Sequence, residues 1–206
     1  MSVAMQYIGG FMKVFKQFSA LIFFGILCIN CAAQTTTQND IFSLGLNAIG
    51  VTMNNRIQFF QNSGGSWTHI PDADMTLPNR YKNVFGLGLN AIGVTVNNKI
   101  QFYQNSGGSW THISDADMTL PNGYRNVFGL GLNAIGVTVN DRTQFYQNSG
   151  GSWTHIPDAD MTLPNGYRNV FGLGLNAIGV TVNNRTQFYQ NSGGAWTLIP
   201  DADFVR

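Results

Sequence analysis

Apolar and polar residues alternate along most of the chain after residue 40, and short turn-forming sequences interrupt the alternation. In residues 85–89, Phe and Leu alternate with Gly, and in residues 92–96, Ile and Val alternate with Gly and Thr. A period of two is typical of half-buried β-strands. The pair at 97–98 (Asn-Asn) suits a two-residue hairpin, and 105–108 (Asn-Ser-Gly-Gly) a slightly longer turn. The pattern predicts antiparallel strands of about five to eight residues.

The same pattern recurs every 43 residues. The interval is kept by two aromatic series: Phe42, Phe85, Phe128, Phe171 and Trp67, Trp110, Trp153, Trp196. A period of about 40–45 residues with four strands per unit is typical of β-propeller blades. We therefore predict an all-β propeller domain over residues 40–206, built from four-stranded repeats at about 40–82, 83–125, 126–168 and 169–206. A partial propeller completed by oligomerisation and a β-prism-like array remain alternatives.

The longest connection within a repeat is residues 71–79, which contains Pro71 and Pro78. Proline cannot donate to a strand ladder, so this segment is interpreted as the blade-to-blade crossover and not as a strand. The glycine-rich strand 85–89 is predicted to line the propeller axis, where inner strands crowd together.

Residues 1–33 differ in character from the repeats. Two lysines precede an apolar run at 18–29, and small residues precede Gln34. This order is typical of a secretory signal peptide cleaved before Gln34, followed by a short linker at 34–39. The run of about 12 residues is shorter than the roughly 20 that a membrane span needs. We expect a secreted or periplasmic protein without stable membrane insertion after cleavage.

Both cysteines, Cys28 and Cys31, lie in this leader. Lipid anchoring on one of them is the alternative, but Leu27 and Asn30 stand where a lipoprotein has a small residue. The repeats contain no cysteine, so packing and not disulfides must stabilise them.

Composition narrows the choice of function. Charged residues are 10% of the chain, the formal net charge is +1, and no cluster of Lys or Arg exists. This excludes a basic nucleic-acid-binding surface. The hydrophobic content of 44% can support a core.

The stretch from Asn90 to Tyr103, with Trp110 and Ile113 after it, resembles the tectonin and tachylectin type of propeller repeat. The shared features are a Gly-Val pair, a polar turn and an aromatic strand before a Trp, and they occur in all four copies. The 43-residue period and the long Asp-Ala-Asp crossover depart from the compact tectonin unit. The resemblance implies a propeller with a lectin-like, carbohydrate-binding role.

The candidate ligand-binding residues are aromatic and acidic positions that recur in the repeats. They are Trp67, Trp110, Trp153, Trp196, Tyr103, Tyr146, Tyr189, Asp74, Asp117, Asp160 and Asp203. An amphipathic aromatic ring can stack on a sugar face, although the Trp residues suit the role of wedges between blades equally well. The acidic pairs, such as Asp72 and Asp74, are interpreted as turn-shaping residues; Ca²⁺ binding is an alternative.

Three histidines, His69, His112 and His155, share one repeat position, but outer strands keep them too far apart to converge on one zinc ion. No catalytic residues and no cofactor are predicted, because every polar candidate is copied three or four times, whereas an active site needs a unique set of groups. Repetition favours multivalent binding of a glycan or cell-surface polymer. The alternatives are a protein-interaction scaffold and, less favoured, a glycosidase or lyase. Homo-oligomerisation stays open.

Overall fold

Each 43-residue repeat folds into one antiparallel sheet in the computed structural model, which describes residues 40–205. Four main strands pair in sequence order, and successive sheets are joined as the blades of a β-propeller. The all-β, four-bladed propeller predicted from the repeat is thereby confirmed. The predicted signal peptide at 1–33 and linker at 34–39 lie outside the described residues.

The strands occupy corresponding positions in the four blades. Blade 1 comprises β1 (Ile41–Gly45), β2 (Ala48–Met53), β3 (Arg56–Ser63), β4 (Ser66–His69) and β5 (Met75–Thr76). Blade 2 comprises β6 (Tyr81–Gly88), β7 (Ala91–Val96), β8 (Lys99–Ser106), β9 (Ser109–His112) and β10 (Met118–Thr119). Blade 3 comprises β11 (Tyr124–Gly131), β12 (Ala134–Val139), β13 (Arg142–Ser149), β14 (Ser152–His155) and β15 (Met161–Thr162). Blade 4 comprises β16 (Tyr167–Gly174), β17 (Ala177–Val182), β18 (Arg185–Ser192), β19 (Ala195–Leu198) and β20 (Phe204–Val205).

The crossover differs from the sequence-based prediction. It begins with a 3₁₀ turn at Pro71–Ala73 and then forms the two-residue strand β5, which pairs with β3 through Ile57↔Met75 and Arg56↔Thr76. The prediction that this connection contains no ladder strand is therefore wrong. The prolines do not prevent pairing because Pro71 and Pro78 flank the paired residues, whose N–H groups remain available. Equivalent 3₁₀ turns lie at Ser114–Ala116, Pro157–Ala159 and Pro200–Ala202.

The predicted hairpin turns are confirmed. Residues 97–98 join β7 to β8, and Asn97 takes a left-handed φ of 55° that asparagine tolerates better than most residues. In the longer turn, Gly107 and Gly108 have φ of 61° and 92°. The side-chain oxygen of Asn105 accepts a hydrogen bond from the Gly108 amide at 3.1 Å and closes the turn.

The first strands of neighbouring blades approach each other closely along the inner edge of the blades, as the glycine-rich sequence predicted. A Cβ atom on Gly86 would overlap the backbone carbonyl of Ser43 in blade 1, and one on Gly129 would overlap that of Gly86 in blade 2. Only glycine permits this backbone approach. A second glycine, Gly93, lies opposite Phe85 across the β6–β7 pair, and the phenylalanine ring fills the space that its missing side chain leaves.

The hydrophobic core is divided among the junctions between blades. At the junction of blades 1 and 2, blade 1 contributes Phe42, Leu44, Ile57, Phe59, Met75 and Leu77, and blade 2 contributes Val84, Ile92 and Val94. The junctions of blades 2 and 3 and of blades 3 and 4 repeat this arrangement. Each blade therefore buries its faces against its neighbours, as repeat architectures require.

No helix in residues 40–205 is both long and apolar enough to cross a membrane.

Arg80 occupies a backbone position that two other repeats fill with glycine. Its φ is 63°, against 77° for Gly123 and 76° for Gly166. A left-handed conformation is strained for a residue with a Cβ. We expect Arg80→Gly to raise the free energy of unfolding by about 0.5–1 kcal/mol, measured by urea denaturation. The reciprocal variant, Gly123→Arg, should lower it by about 1–2 kcal/mol; equal stabilities of the two variants would contradict the assignment of strain.

Candidate binding site at the blade junctions

A shallow cavity of about 380 Å³ lies where the crossover of blade 2 meets the outer strands of blade 3. Its lining comes from both blades: Asp115, Asp117, Met118, Thr119 and Tyr146, Gly151, Ser152, Trp153. The side chains of Asp115, Thr119 and Ser152 are exposed to solvent, so their oxygens are available to a ligand.

The glycine turn of each outer hairpin positions one wall of such a cavity. Gly151 has a φ of 90°, and its amide donates to the Asn148 side chain at 3.1 Å. At the preceding junction, a Cβ on Gly108 would lie 3.2 Å from the carbonyl oxygen of Asp72, so the turn of one blade touches the crossover of the blade before it. The absence of a side chain here allows the close approach.

The tryptophan of each junction joins two blades. The Trp153 ring stacks on Phe102 of blade 2 with centroids 4.8 Å apart, and its indole N–H donates to the Ala116 carbonyl at 2.9 Å. Trp110 makes the same pair of contacts with Phe59 and Ala73, and Trp196 with Phe145 and Ala159. These contacts use one ring face and the only donor of the side chain, so the ring borders the cavity while it holds the blades together.

Trp67 lies in a different environment from the other three tryptophans. It belongs to blade 1 and is 41% exposed, whereas the other three are half-buried against the preceding blade. The role of a tryptophan in this repeat position is therefore decided by whether a blade precedes it.

The second aspartate of each Asp-Ala-Asp step is partnered inside its own blade. Asp74 accepts hydrogen bonds from the ring of His69 at 2.9 Å and from the Phe59 amide at 3.4 Å, and Arg56 lies 3.9 Å away. Its side chain is 9% exposed. Asp74 therefore ties the crossover to β3 and β4, as a turn-shaping residue does.

Asp117 is the more accessible member of this series. His112 bonds to it at 2.8 Å, but its side chain is 22% exposed, against 7% for Asp160. Blade 3 places Arg142 at 3.7 Å from Asp160, whereas blade 2 has Lys99 at the same repeat position. In blade 4 the histidine is replaced by Leu198, and one buried oxygen of Asp203 has no hydrogen-bond partner among the described residues.

Tyr146 borders the cavity, and the rings of Tyr103 and Tyr146 lie beside the histidines of their own blades. Tyr103 donates its hydroxyl hydrogen to Gln101 at 3.0 Å, and its ring lies 5.1 Å from that of His112. Burial, and then the negative charge of Asp117, raises the pKa of the Tyr103 phenol above its ordinary value of 10.0. Burial, and then the negative charge of Asp160, raises the pKa of Tyr146 in the same way. For Tyr189 the causes are burial and then the charge of Asp203.

The structure brings three of the sequence-predicted residues, Asp117, Tyr146 and Trp153, together in one cavity shared by two repeats. Tyr146 and Trp153 of blade 3 border the same cavity as Asp117 of blade 2, so residues from one repeat do not form a complete site. Sequence reasoning favoured a turn-shaping role for Asp115, with ligand contact as an alternative, and missed Thr119 and Ser152 as cavity residues. For Ser152, the recurring Asn-Ser-Gly-Gly-Ser sequence was the available signal, but that sequence by itself indicated only a turn.

The three histidines lie in β4, β9 and β14, one in each of three blades, and each bonds to the aspartate of its own blade. Within the described part of the chain, no group of three or more His, Cys, Asp or Glu residues is placed to hold a metal ion.

No protein-family model and no curated protein matches this sequence. Among solved structures, the chain is similar to Hsv2 from Kluyvelomyces marxianus, with a TM-score of 0.53, 10% identity, and coverage of 79% of this chain and 49% of Hsv2. It is also similar to a functionally unknown protein from Desulfotomaculum acetoxidans, with a TM-score of 0.51, 10% identity, and coverage of 86% and 59%. A Bacteroides fragilis protein described as a candidate 6-phosphogluconolactonase gives a TM-score of 0.50, 9% identity, and coverage of 86% and 59%.

At these identities the likeness shows the fold alone, and that fold is the β-propeller. The chain spans about half to three-fifths of the length of the structures that it matches. The finer resemblance to tectonin and tachylectin repeats stays a prediction.

The contrast between Trp110 and Trp67 gives a matched pair of variants. Trp110→Ala removes the stacking on Phe59 and the hydrogen bond to Ala73, so we expect it to lower the free energy of unfolding by about 3–5 kcal/mol. Trp67→Ala should cost less than about 1 kcal/mol because the side chain is 41% exposed. Urea denaturation of both variants measures the difference, and similar losses would contradict the wedge role of Trp110.

The raised tyrosine pKa values predict a loss of stability in alkali. The three phenol groups lose their protons more readily in the unfolded chain than in the folded one. Their contribution to the free energy of unfolding is therefore fully present below about pH 10 and is lost as the pH rises through the folded-state pKa. The triple variant Tyr103→Phe, Tyr146→Phe, Tyr189→Phe should show a shallower decline in stability between about pH 9.5 and 11.5 than the wild type. Thermal unfolding across this range is the measurement, and parallel curves for the two proteins would disprove the expectation.

Proposed function

We propose that the protein is a secreted binding protein that takes carbohydrate, free or in a cell-surface polymer, at the junctions between its blades. The observation that carries this proposal is the cavity between blades 2 and 3, where exposed oxygens lie beside aromatic rings. Secretion is supported by the sequence of residues 1–33.

The chemistry of the cavity suits a polyhydroxylated ligand. The side-chain oxygens of Asp115 and Asp117 can accept hydrogen bonds from hydroxyl groups, and Thr119 and Ser152 can both donate and accept them. The aromatic side chains at the border of the cavity supply apolar contact area of the kind that packs on a sugar face. A shallow, open cavity of this type fits weak binding, on the order of 1 mM to 1 μM for a single site.

The repetition of the same elements at successive junctions supports binding at several sites at once. The junctions of blades 1–2 and 3–4 bring together the same elements, namely a crossover with Asp72 or Asp158 and a turn containing Gly108 or Gly194. A ligand with many similar sugar units could engage more than one junction, and the resulting avidity would exceed the affinity of a single site.

A scaffold without a small ligand is the second candidate function. The observation that favours it is the use of Trp110, Trp153 and Trp196 as wedges, because an aromatic ring committed to packing has less surface for a sugar. An enzyme is disfavoured because most of the cavity residues recur from junction to junction, with Ala195 in place of Ser152 as an exception, whereas catalysis needs a unique set of groups.

The test is a glycan array probed with the full chain, followed by titration calorimetry with the strongest glycan. The triple variant Asp72→Asn, Asp115→Asn, Asp158→Asn removes an exposed carboxylate from each of three junctions. We expect it to weaken binding by about tenfold or more, since hydrogen bonds to charged groups contribute about 1.5–3 kcal/mol. Asp115→Asn alone should remove about one site and leave the others.

The matched control is Asp141→Asn, which removes an exposed carboxylate from a hairpin turn outside the cavity lining. Blades 2 and 4 carry Asn98 and Asn184 at this repeat position, so the turn tolerates the change. Binding should be unaffected. If no glycan binds at all, the scaffold becomes the better candidate; if Asp141→Asn is as harmful as the triple variant, the junctions are not the site.

A further inference from the structure

The lysines and arginines of residues 40–205 lie at one end of the strands. Each stands at or directly beside the start of a first or third strand of its blade, and these two strands run in the same direction because neighbouring strands are antiparallel. The residues are Arg56, Arg80, Lys82, Lys99, Arg125, Arg142, Arg168 and Arg185. The topology therefore gathers on one edge of the blades cations that are scattered along the sequence.

In blades 2, 3 and 4, a β-bulge carries one of these cations on the innermost strand. The pairing of β6 with β7 shifts between Tyr81 and Asn83, so Lys82 is an extra residue without a partner in β7. Arg125 and Arg168 are the extra residues at the same shift in the next two blades. A bulge bends the strand and changes the direction of the side chain at that position.

Two of these bulges line one cavity of about 190 Å³ between blades 2 and 3. Lys82 comes from blade 2 and Arg125 from blade 3, and no aspartate is among the described residues of the lining. The polar side chains beside them are Asn83, Thr95, Tyr124 and Asn126. The Asn83 amide donates to the Val127 carbonyl at 2.9 Å, so the two walls of the cavity are tied together.

Both cations of this cavity are free to meet an anion. Lys82 and Arg125 are exposed, and among the residues that the structure describes neither forms an ion pair, whereas Arg142 on the same edge lies 3.7 Å from Asp160. The Lys82 ammonium lies 5.6 Å from the centre of the Tyr124 ring. This contact holds the ammonium beside blade 3 and leaves its charge uncompensated.

The neighbourhood of the cavity is neutral where the other junctions carry carboxylates. The Tyr124 hydroxyl donates to the Asn97 carbonyl at 2.8 Å, which places the hairpin turn at 97–98 beside the cavity. The corresponding turn of blade 3 has Asp141 in place of the second asparagine, and blade 1 has Asp40 in place of Asn83. The junction of blades 2 and 3 therefore combines two cations with uncharged amides.

We propose that this cavity binds a small oxyanion of the sulfate or phosphate type, either free or as an ester group of a larger ligand. The Arg125 guanidinium can donate two parallel hydrogen bonds to such a group, and the Lys82 ammonium adds a compact positive charge. This binding does not rest on the proposed carbohydrate site, because the two cavities share no lining residue.

The experiment measures binding of the full chain to immobilised dextran sulfate by surface plasmon resonance, with unmodified dextran as the reference surface, at an ionic strength of about 0.15 M. The double variant Lys82→Gln, Arg125→Gln removes both cations and keeps polar side chains at exposed positions. We expect it to weaken binding by roughly tenfold or more, because hydrogen bonds to charged groups are lost. Lys82→Arg should keep the affinity, since blades 3 and 4 have arginine at this repeat position.

The matched control is Lys99→Gln, Arg185→Gln. It removes the same charge from exposed positions on the same edge, outside the cavity lining. Its affinity should fall by less than about threefold, because exposed charges at a distance are screened. The inference is overturned if the cavity variant binds like the wild type, if the control loses as much affinity, or if the wild type does not prefer dextran sulfate to dextran.

Competition with inorganic sulfate or phosphate, with chloride adjusted to hold the ionic strength constant, separates the two sources of the anion. Displacement by either ion supports a site for the free anion. Binding that still depends on Lys82 and Arg125 but resists both ions supports an ester group of a polymer. The triple variant Asp72→Asn, Asp115→Asn, Asp158→Asn should retain dextran sulfate binding, so a failure of the carbohydrate proposal would leave this result unchanged.

Discussion

The contact between one blade and the next is the interaction on which the rest of the structure depends. A sheet of four short strands is apolar on both faces here, and it can bury them only between two neighbours. The tryptophan of each following blade completes the contact, since its ring covers Phe59 or an equivalent and its indole N–H satisfies a crossover carbonyl. Glycine at the inner edge is also required, because only a residue without a Cβ lets the backbones of neighbouring blades approach as closely as they do.

This contact also creates the candidate site. The crossover that carries Asp115 and Asp117 lies beside the glycine turn of the next blade, and the cavity opens between them. The number of complete sites is therefore set by the number of junctions and not by the number of repeats. The tryptophan that stabilises the junction between blades 2 and 3, Trp153, also borders the candidate site.

Small differences between the copies make the junctions unequal. Asp117, in the blade that has Lys99 in place of arginine, is more accessible than Asp160, and Asp203 lacks the histidine that its counterparts have because position 198 is leucine. Phe60 lacks the hydroxyl that Tyr103 donates to a glutamine. Ser43 stands at the inner-edge position where the other three copies have glycine.

The sequence by itself determined the strands, the turns and the propeller architecture, because these depend on a period of two, on residues such as Asn97 and Gly107, and on a 43-residue repeat. It did not predict the strand at Met75–Thr76, since two prolines made the segment resemble a plain loop. Nor could it show that Trp67 and Trp110 have different environments, or that Ser152 shares a cavity with Asp115. Those facts arise from contacts between residues about 40 positions apart, and near-identical repeats conceal which copy has a neighbour. Only the tertiary structure decides this, because burial depends on the packed blade and not on the local sequence.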